Sequence, residues 1–151
     1  MAISCSGNLG DAHADLRSAV VLLDATAHPP IESRRFAVAS QLNAPLGSTV
    51  AFAGETLLLG VALGDTQAGR NDVAYALDLS SGKVDVLLDA GAAFAFGDFR
   101  CAPGCGEICF LADAQANALR AWKMNGALLS VEPSVPVDPS IGLPPRVIGA
   151  L

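Results

Sequence analysis

The chain has 151 residues, of which 52% are hydrophobic and only 16% are charged. A chain this rich in apolar residues has enough material for the core of one domain of ordinary size, which excludes a disordered protein. Its 9 Lys and Arg stand against 15 Asp and Glu, and no basic cluster is longer than Arg34-Arg35, so we expect no nucleic-acid partner.

The N-terminal segment, residues 1–17, carries no recognisable export signal. Met1 to Leu16 has neither a basic region nor an apolar stretch followed by a cleavage site. The longest apolar stretch of the chain, Leu57 to Leu63, is much shorter than the roughly 20 residues that cross a bilayer. We therefore expect no signal peptide in this chain, no membrane span and a soluble protein.

Most of the chain shows a two-residue periodicity, in which short apolar runs are separated by clusters of Gly, Pro, Asn and Asp. This pattern predicts an all-β fold. The stretch Asn8 to Leu23 leaves a helix open as an alternative, because Ala and Leu are good helix formers. The predicted strands are Ala19 to Leu23, Arg35 to Ala39, Thr49 to Phe52, Thr56 to Leu63, Asp72 to Leu79, Val84 to Leu88, Ile108 to Leu111, Ala118 to Met124 and Ala127 to Val131.

Internal similarity indicates a repeat of about 45 to 54 residues. The matched segments are Gly54 to Leu59 with Gly106 to Leu111, Asp65 to Ala68 with Asp113 to Ala116, Leu77 to Gly82 with Trp122 to Gly126 and, more weakly, Val20 to Thr26 with Val73 to Leu79. Each unit predicts a buried strand, a polar turn, a second strand, a tight turn with Gly and a third strand, with a fourth strand in the linking segment.

Two features of the repeat predict how its strands are placed. Ser81-Gly82 and Asn125-Gly126 stand where a tight hairpin needs positive φ, which Gly adopts without strain. Leu57 to Leu63 is apolar at every position except Gly60, so we expect it to be buried on both faces, near the middle of a ring of sheets. Three aromatic residues, Phe94, Phe96 and Phe99, are expected in the core.

The segment Ala74 to Val84 resembles the third strand, turn and fourth strand of a blade in β-propellers of the PQQ-like and YVTN-like kinds, and Val20 to Thr26 is similar to the same piece of the preceding blade. The resemblance implies a partial β-propeller of about three four-stranded blades in residues 18–132. Residues 133–151 then form a Pro-rich connection and a terminal strand. Quinoprotein blades carry a Trp shortly after the Gly-Lys turn, whereas Asp85 and Val86 follow it here, so no cofactor is expected.

A propeller ring usually has four to eight blades, and the predicted strands make about three. An open set leaves sheet faces and edges without neighbours. We therefore expect oligomerisation, another chain or missing sequence to complete the ring, unless the strands curl into a compact sandwich.

Three cysteines at four-residue spacing, Cys101, Cys105 and Cys109, surround a Pro-Gly turn. The spacing favours a disulfide, either Cys101 to Cys105 or Cys101 to Cys109. Buried free thiols or a metal site completed by Cys5 or a histidine remain the alternatives. A disulfide would accompany an extracytoplasmic location, periplasmic or secreted.

Carboxylates recur at one place in the repeat, since Asp65 and Asp113 follow equivalent strands. Together with Asn71 and Asn117 they are candidates for a rim that binds a ligand or a divalent cation. The structural alternative is that these side chains accept hydrogen bonds from backbone amides and stabilise the turns.

Catalytic motifs find little support in the sequence. The chain has two histidines, no Gly-x-Ser-x-Gly element and no phosphate-binding glycine pattern. The expected function is therefore a non-catalytic β-propeller module for binding or interaction. The alternative is a hydrolase or lactonase of the propeller type that uses a divalent cation in the central channel.

Overall fold

The computed structural model describes residues 1–5, 18–102, 108–125, 128–138, 140 and 144–149. Within these ranges the chain forms eleven strands and one short helix. In chain order they are β1 (Ala2–Cys5), β2 (Ala19–Asp24), β3 (Ile31–Phe36), α1 (Val38–Leu42), β4 (Leu46–Ala53), β5 (Leu57–Ala62), β6 (Val73–Asp78), β7 (Val84–Asp89), β8 (Phe96–Cys101), β9 (Ile108–Asp113), β10 (Ala118–Asn125) and β11 (Leu128–Pro136).

The strands form three antiparallel sheets, and each sheet follows the order of the chain. The first sheet contains β1 to β3, the second β4 to β7 and the third β8 to β11. The predicted all-β class is confirmed. No helix in the described ranges is long and apolar enough to cross a membrane.

The first strands of the three sheets lie in a row. β1 contacts β4, β4 contacts β8, and β5 also contacts β8. Within each sheet the later strands follow in chain order away from this row, and the contacts between sheets are concentrated at the row. The apolar pattern predicted that Leu57 to Leu63 lies near the middle of the ring, and this is wrong for the innermost position. β4 holds that position, and β5 is the second strand of the sheet.

Two apolar clusters lie between the sheets, one on each face of the second sheet. In β5, Leu59 belongs to the cluster shared with the third sheet, whereas its neighbour Leu58 belongs to the cluster shared with the first sheet and α1. Ala76 and Leu77 of β6 divide in the same way. Side chains alternate between the faces of a strand, so a sheet covered on both sides needs apolar residues at successive positions.

The predicted strand Arg35 to Ala39 is wrong in its second half. β3 ends at Phe36, and Val38 starts a helix of five residues that ends before Asn43, which has a φ of 51°. Val38 and Ala39 are buried against the first two sheets, so packing selects a conformation that the local pattern did not predict. For Asn8 to Leu23, the structure has β2 from Ala19 onward, and residues 8–17 lie outside the described ranges.

The hairpin between β6 and β7 has the tight turn that the sequence predicted. Gly82 has a φ of 77°, and its amide donates to the Asp78 carbonyl oxygen at 2.8 Å. The Asp78 carboxylate accepts hydrogen bonds from the Ser80 amide and hydroxyl at 2.8 and 2.6 Å. Asp24 and Thr26 repeat this arrangement after β2, at 2.8 and 2.7 Å. β2 is therefore equivalent to β6, and Asp24 corresponds to Asp78. The alignment from the sequence had set Asp24 against Leu77, one residue earlier.

A disulfide joins Cys101 of β8 to Cys109 of β9, with 3.9 Å between their Cα atoms. The two residues are direct partners in the antiparallel register, which selects this pairing among the alternatives. Cys105 lies outside the described residues, and Cys5 is a free, exposed thiol.

The three phenylalanines before and within β8 differ in burial. Phe96 and Phe99 are buried as expected, but Phe94 is 66% exposed, so its expected place in the core is wrong. Its φ is 58°, and its amide and carbonyl groups are both held by side chains, those of Asp72 and Arg146. The backbone at Phe94 is thus fixed by hydrogen bonds, and the ring projects outward.

Candidate ligand rim at the strand turns

The four predicted rim residues lie in two equivalent turns. Asp65 and Asn71 belong to the connection between β5 and β6, whereas Asp113 ends β9 and Asn117 lies in the connection from β9 to β10. Both turns join the second and third strands of a sheet, so the repeat places them at the same end of neighbouring sheets.

Asp65 is held within its own turn. One carboxylate oxygen accepts the amides of Gln67 at 2.8 Å and Ala68 at 3.3 Å, and the other lies 3.5 Å from an Arg70 guanidinium nitrogen. The Gln67 amide, followed by that of Ala68, lowers the pKa of Asp65 below its ordinary value because both stabilise the charged form. The same loop is closed by paired backbone bonds between Asp65 and Arg70, each 2.9 Å long.

Asp113 is buried and has two partners of the same kinds. One oxygen accepts the Ala116 amide at 2.9 Å, and the other accepts the Arg120 Nε group at 2.8 Å. A buried carboxylate needs such compensation for its lost hydration. Asp65 and Asp113 therefore each combine turn amides with an arginine.

The two asparagines take different roles. The Asn71 side-chain amide donates to the Asp89 carboxylate at 2.9 Å, and the Gly91 amide donates to the same oxygen at 2.8 Å. Asn117 has a φ of 48°, and its carbonyl oxygen accepts the Val137 amide at 2.7 Å. Asn71 thus connects its turn to the end of β7, and Asn117 connects its turn to the chain after β11.

An open cavity of about 230 Å³ lies between the second and third sheets at this end. Asp89, Asp113, Gln115 and Arg120 supply its polar lining, and Leu88, Ala90, Phe96 and Ala116 supply the rest. The structure thus brings Asp113 to the same cavity as Asp89, the partner of Asn71. The other three predicted rim residues, Asp65, Asn71 and Asn117, do not line it.

The cavity is small, since pockets for drug-sized ligands usually span about 300 to 1,000 Å³. Its two carboxylates already bond to Arg120 and Asn71. In the part of the chain that the structure describes, no group of three or more His, Cys, Asp and Glu side chains is placed to hold a metal ion. The arrangement offers small polar solutes a mixed acidic and basic lining.

The polar residue with the most connections in this region is Asp72, which the rim prediction missed. It is 1% exposed, and its carboxylate accepts the amides of Gly64 at 2.7 Å, Phe94 at 3.2 Å and Phe96 at 2.9 Å. It therefore joins the loop after β5 to the linker that enters the third sheet. The available signal was a carboxylate at the start of a run, Asp72 to Leu79, that is otherwise almost entirely apolar.

Comparison with known proteins returned no match. No protein-family model, no curated protein and no solved structure is similar to this chain at a significant level.

Proposed function

We propose that the chain is a non-catalytic binding or interaction module, built as part of a β-propeller whose remaining sheets come from a second copy or from another chain. One observation carries the proposal. Among the residues that the structure describes, the second sheet is packed on both faces, by the first and third sheets, whereas each of those two sheets has such a neighbour on one face only.

The row of first strands supports the propeller part of the proposal. β1, β4 and β8 lie side by side, and each sheet extends away from them. Sheets that diverge from a common row can accept further sheets at both ends until a ring closes. The module would therefore bind through the two outward faces.

The outward face of the third sheet carries a phenylalanine, Phe110, on its strand β9. Phe110 lies between Cys109 and Leu111, which belong to the cluster toward the second sheet, so Phe110 points the other way. Its partners across the ladders are Ala121 of β10 and Arg100 of β8. Phe110 remains partly exposed, as expected for a face that another sheet can cover.

The outward face of the first sheet is identified in the same way. Val20 lies in the cluster toward the second sheet, so Val21 and its partner in β1, Ile3, lie on the other face, where Val21 is buried with 5% of its surface exposed. Ile3 is 40% exposed. Phe110 at one end of the row and Ile3 at the other thus keep exposed apolar surface that another sheet can cover.

The experiment combines native mass with a dye that binds exposed apolar surface, anilinonaphthalene sulfonate. We expect either an assembly of more than one chain or a monomer that binds the dye. The variant Phe110→Glu should dissociate the assembly or weaken dye binding. Circular dichroism checks its folding, and Leu128→Glu, at an exposed position on the same face, serves as a second variant. A monomer that does not bind the dye would overturn the proposal.

Metal analysis separates this function from the alternative, a hydrolase or lactonase of the propeller type with a divalent cation in its channel. The module requires no metal. A cation bound at one per chain after purification, and lost together with a hydrolytic activity in Asp113→Asn, would favour the enzyme.

We also propose an extracytoplasmic location, periplasmic or secreted. The disulfide between Cys101 and Cys109 supports it, since such bonds persist mainly in oxidising compartments. Thiol alkylation of the protein in its native cells tests this proposal. Rapid labelling of both cysteines without reductant would contradict it.

A further inference from the structure

The first sheet has one strand fewer than the other two in the described part of the chain. Because β2 matches β6 through the turns at Asp24 and Asp78, β1 corresponds to β5 and β3 to β7. No strand of the first sheet then corresponds to β4 of the second sheet or to β8 of the third. Among the described residues, the position that no strand fills is the innermost one, next to β1.

The free edge of β1 can be located atom by atom. Met1 and Leu23 exchange two hydrogen bonds, from the Leu23 amide at 2.8 Å and from the Met1 amino group at 3.1 Å. Bonded pairs alternate along an antiparallel ladder, so Ile3 also faces β2 and the backbone groups of Ala2 and Ser4 point to the other edge. Among the described residues, β1 pairs with β2 alone.

The segment 144–149 lies where a further first strand would begin. The links from β3 to β4 and from β7 to β8 each lead from the outermost strand of one sheet to the first strand of the next. After β11, the outermost strand of the third sheet, the chain likewise comes back to the innermost strands and lies against β8. The Asp98 amide of β8 donates to the Arg146 carbonyl oxygen at 2.9 Å. The Ile148 amide reaches the Asp98 carboxylate at 3.4 Å.

Two contacts around the start of β8 hold this segment in place. Gly97 lacks a side chain, and a Cβ atom there would collide with the Arg146 carbonyl group. The Arg146 guanidinium donates to the Phe94 carbonyl oxygen at 2.6 Å. Between the two residues that bond to Asp98, Val147 is 77% exposed. The segment therefore docks on β8 and presents Val147 to solvent.

We infer that residues 144–149 of one chain add to the free edge of β1 in a second copy, as the innermost fourth strand of its first sheet. Two copies exchange these segments reciprocally and form one ring of six sheets. Backbone hydrogen bonds from Ala2 and Ser4 supply the pairing, as in other cases of strand addition. The inference rests on the proposed function and names its partner.

The number of sheets favours a second copy. Two chains with three sheets each give six, within the usual range of four to eight for a closed ring. The contact between the third sheet of one copy and the first sheet of the other occurs twice and closes with two-fold symmetry. Closure also pairs the edge of β1, which as an open strand edge invites aggregation.

The test is native mass by light scattering over a range of protein concentrations. The unmodified protein should have twice the 15.3 kDa mass of one chain. Ala2→Pro removes an amide that faces the free edge and leaves the β1–β2 ladder intact, since proline is tolerated where an edge-strand amide points outward. Val147→Lys places a charge on the added strand. Each variant should weaken dimerisation at least about tenfold, the effect of losing one good contact.

The matched control is Val131→Lys on β11, which alters a valine of equal exposure, 77%, away from the proposed contact. It should leave the dimer intact. The inference is overturned by a wild-type monomer, by a dimer that persists in both Ala2→Pro and Val147→Lys, or by equal loss in Val131→Lys. A wild-type monomer that binds the apolar dye would overturn only this inference, whereas one that does not bind it would overturn the proposed function as well.

Discussion

Replacing Asp72 with alanine tests whether this buried carboxylate joins the second and third sheets. The substitution removes the acceptor for three backbone amides, those of Gly64, Phe94 and Phe96. Water has little access to replace the lost acceptor. The carboxylate and its bond to Phe96 are buried, and the bonds to Gly64 and Phe94 are partly buried. We therefore expect Asp72→Ala to fold with greatly reduced stability.

The size of the effect follows from the burial of each amide. A buried donor left without a partner costs about 1 to 3 kcal/mol. About 2 kcal/mol for the Phe96 amide and about 1 kcal/mol for each of the other two give a loss of about 4 kcal/mol in the free energy of unfolding. With an unfolding entropy of about 2.1 cal/mol/K per residue, this loss lowers Tm by about 13 °C.

Urea denaturation and thermal melts of wild type and variant measure this loss. The stability of Asp72→Asn should lie between those of the wild type and Asp72→Ala, because asparagine keeps the shape of the side chain but replaces one acceptor oxygen with a donor. Asp89→Ala is the control, since Asp89 also accepts a backbone amide but is exposed. If Asp72→Ala lowers the stability no more than Asp89→Ala does, the carboxylate does not act as the proposed link.

Three further predictions concern the disulfide, a turn and the core. Replacing both Cys101 and Cys109 with alanine should lower the free energy of unfolding by about 2 to 3 kcal/mol, the chain-entropy value for a loop this short. The Ser80 hydroxyl, followed by the Ser81 amide, lowers the pKa of Asp78 to about 2. The charged carboxylate therefore stabilises the turn above pH 4, and this contribution is lost as the pH falls toward 2. In Ser80→Ala, NMR titration should find a higher pKa for Asp78. Tyr75→Phe should keep or raise the stability by up to about 1 kcal/mol, since the buried hydroxyl has no hydrogen-bond partner within the described ranges.

Each of these has a result that contradicts it. For the disulfide, Cys5→Ala is the control, and equal stability of the double variant and this control would show that the cross-link contributes nothing. An unchanged pKa of Asp78 in Ser80→Ala would assign the shift to the backbone amides instead. A loss above about 1 kcal/mol in Tyr75→Phe would mean that the hydroxyl has a partner.

The elements that local sequence predicted well are those whose determinants lie within a few residues. β6 and its hairpin follow from a short continuous run of apolar residues and from Gly82, whose positive φ sets the register. The apolar pattern of β5 also predicted burial on both faces. The same pattern wrongly predicted that β5 is the innermost strand of its sheet. That position is held by β4, because contacts with the neighbouring sheets, and not the local pattern, decide which strand is innermost.

The candidate site depended more strongly on distant contacts. The repeat placed Asp65 and Asp113 in equivalent turns, and both carboxylates bond to amides of their own turn. Asp72 escaped detection because its three partners lie 8, 22 and 24 residues along the chain. Spacing alone cannot indicate such a set.

The sequence by itself determined an all-β chain with repeated hairpins, because strand periodicity and turn chemistry act over neighbouring residues. Only the tertiary structure decided that Cys101 pairs with Cys109, that Val38 begins a helix and that β1 pairs with β2 alone among the described residues. These outcomes depend on the register between strands and on packing between sheets, and both join residues that are far apart in the chain.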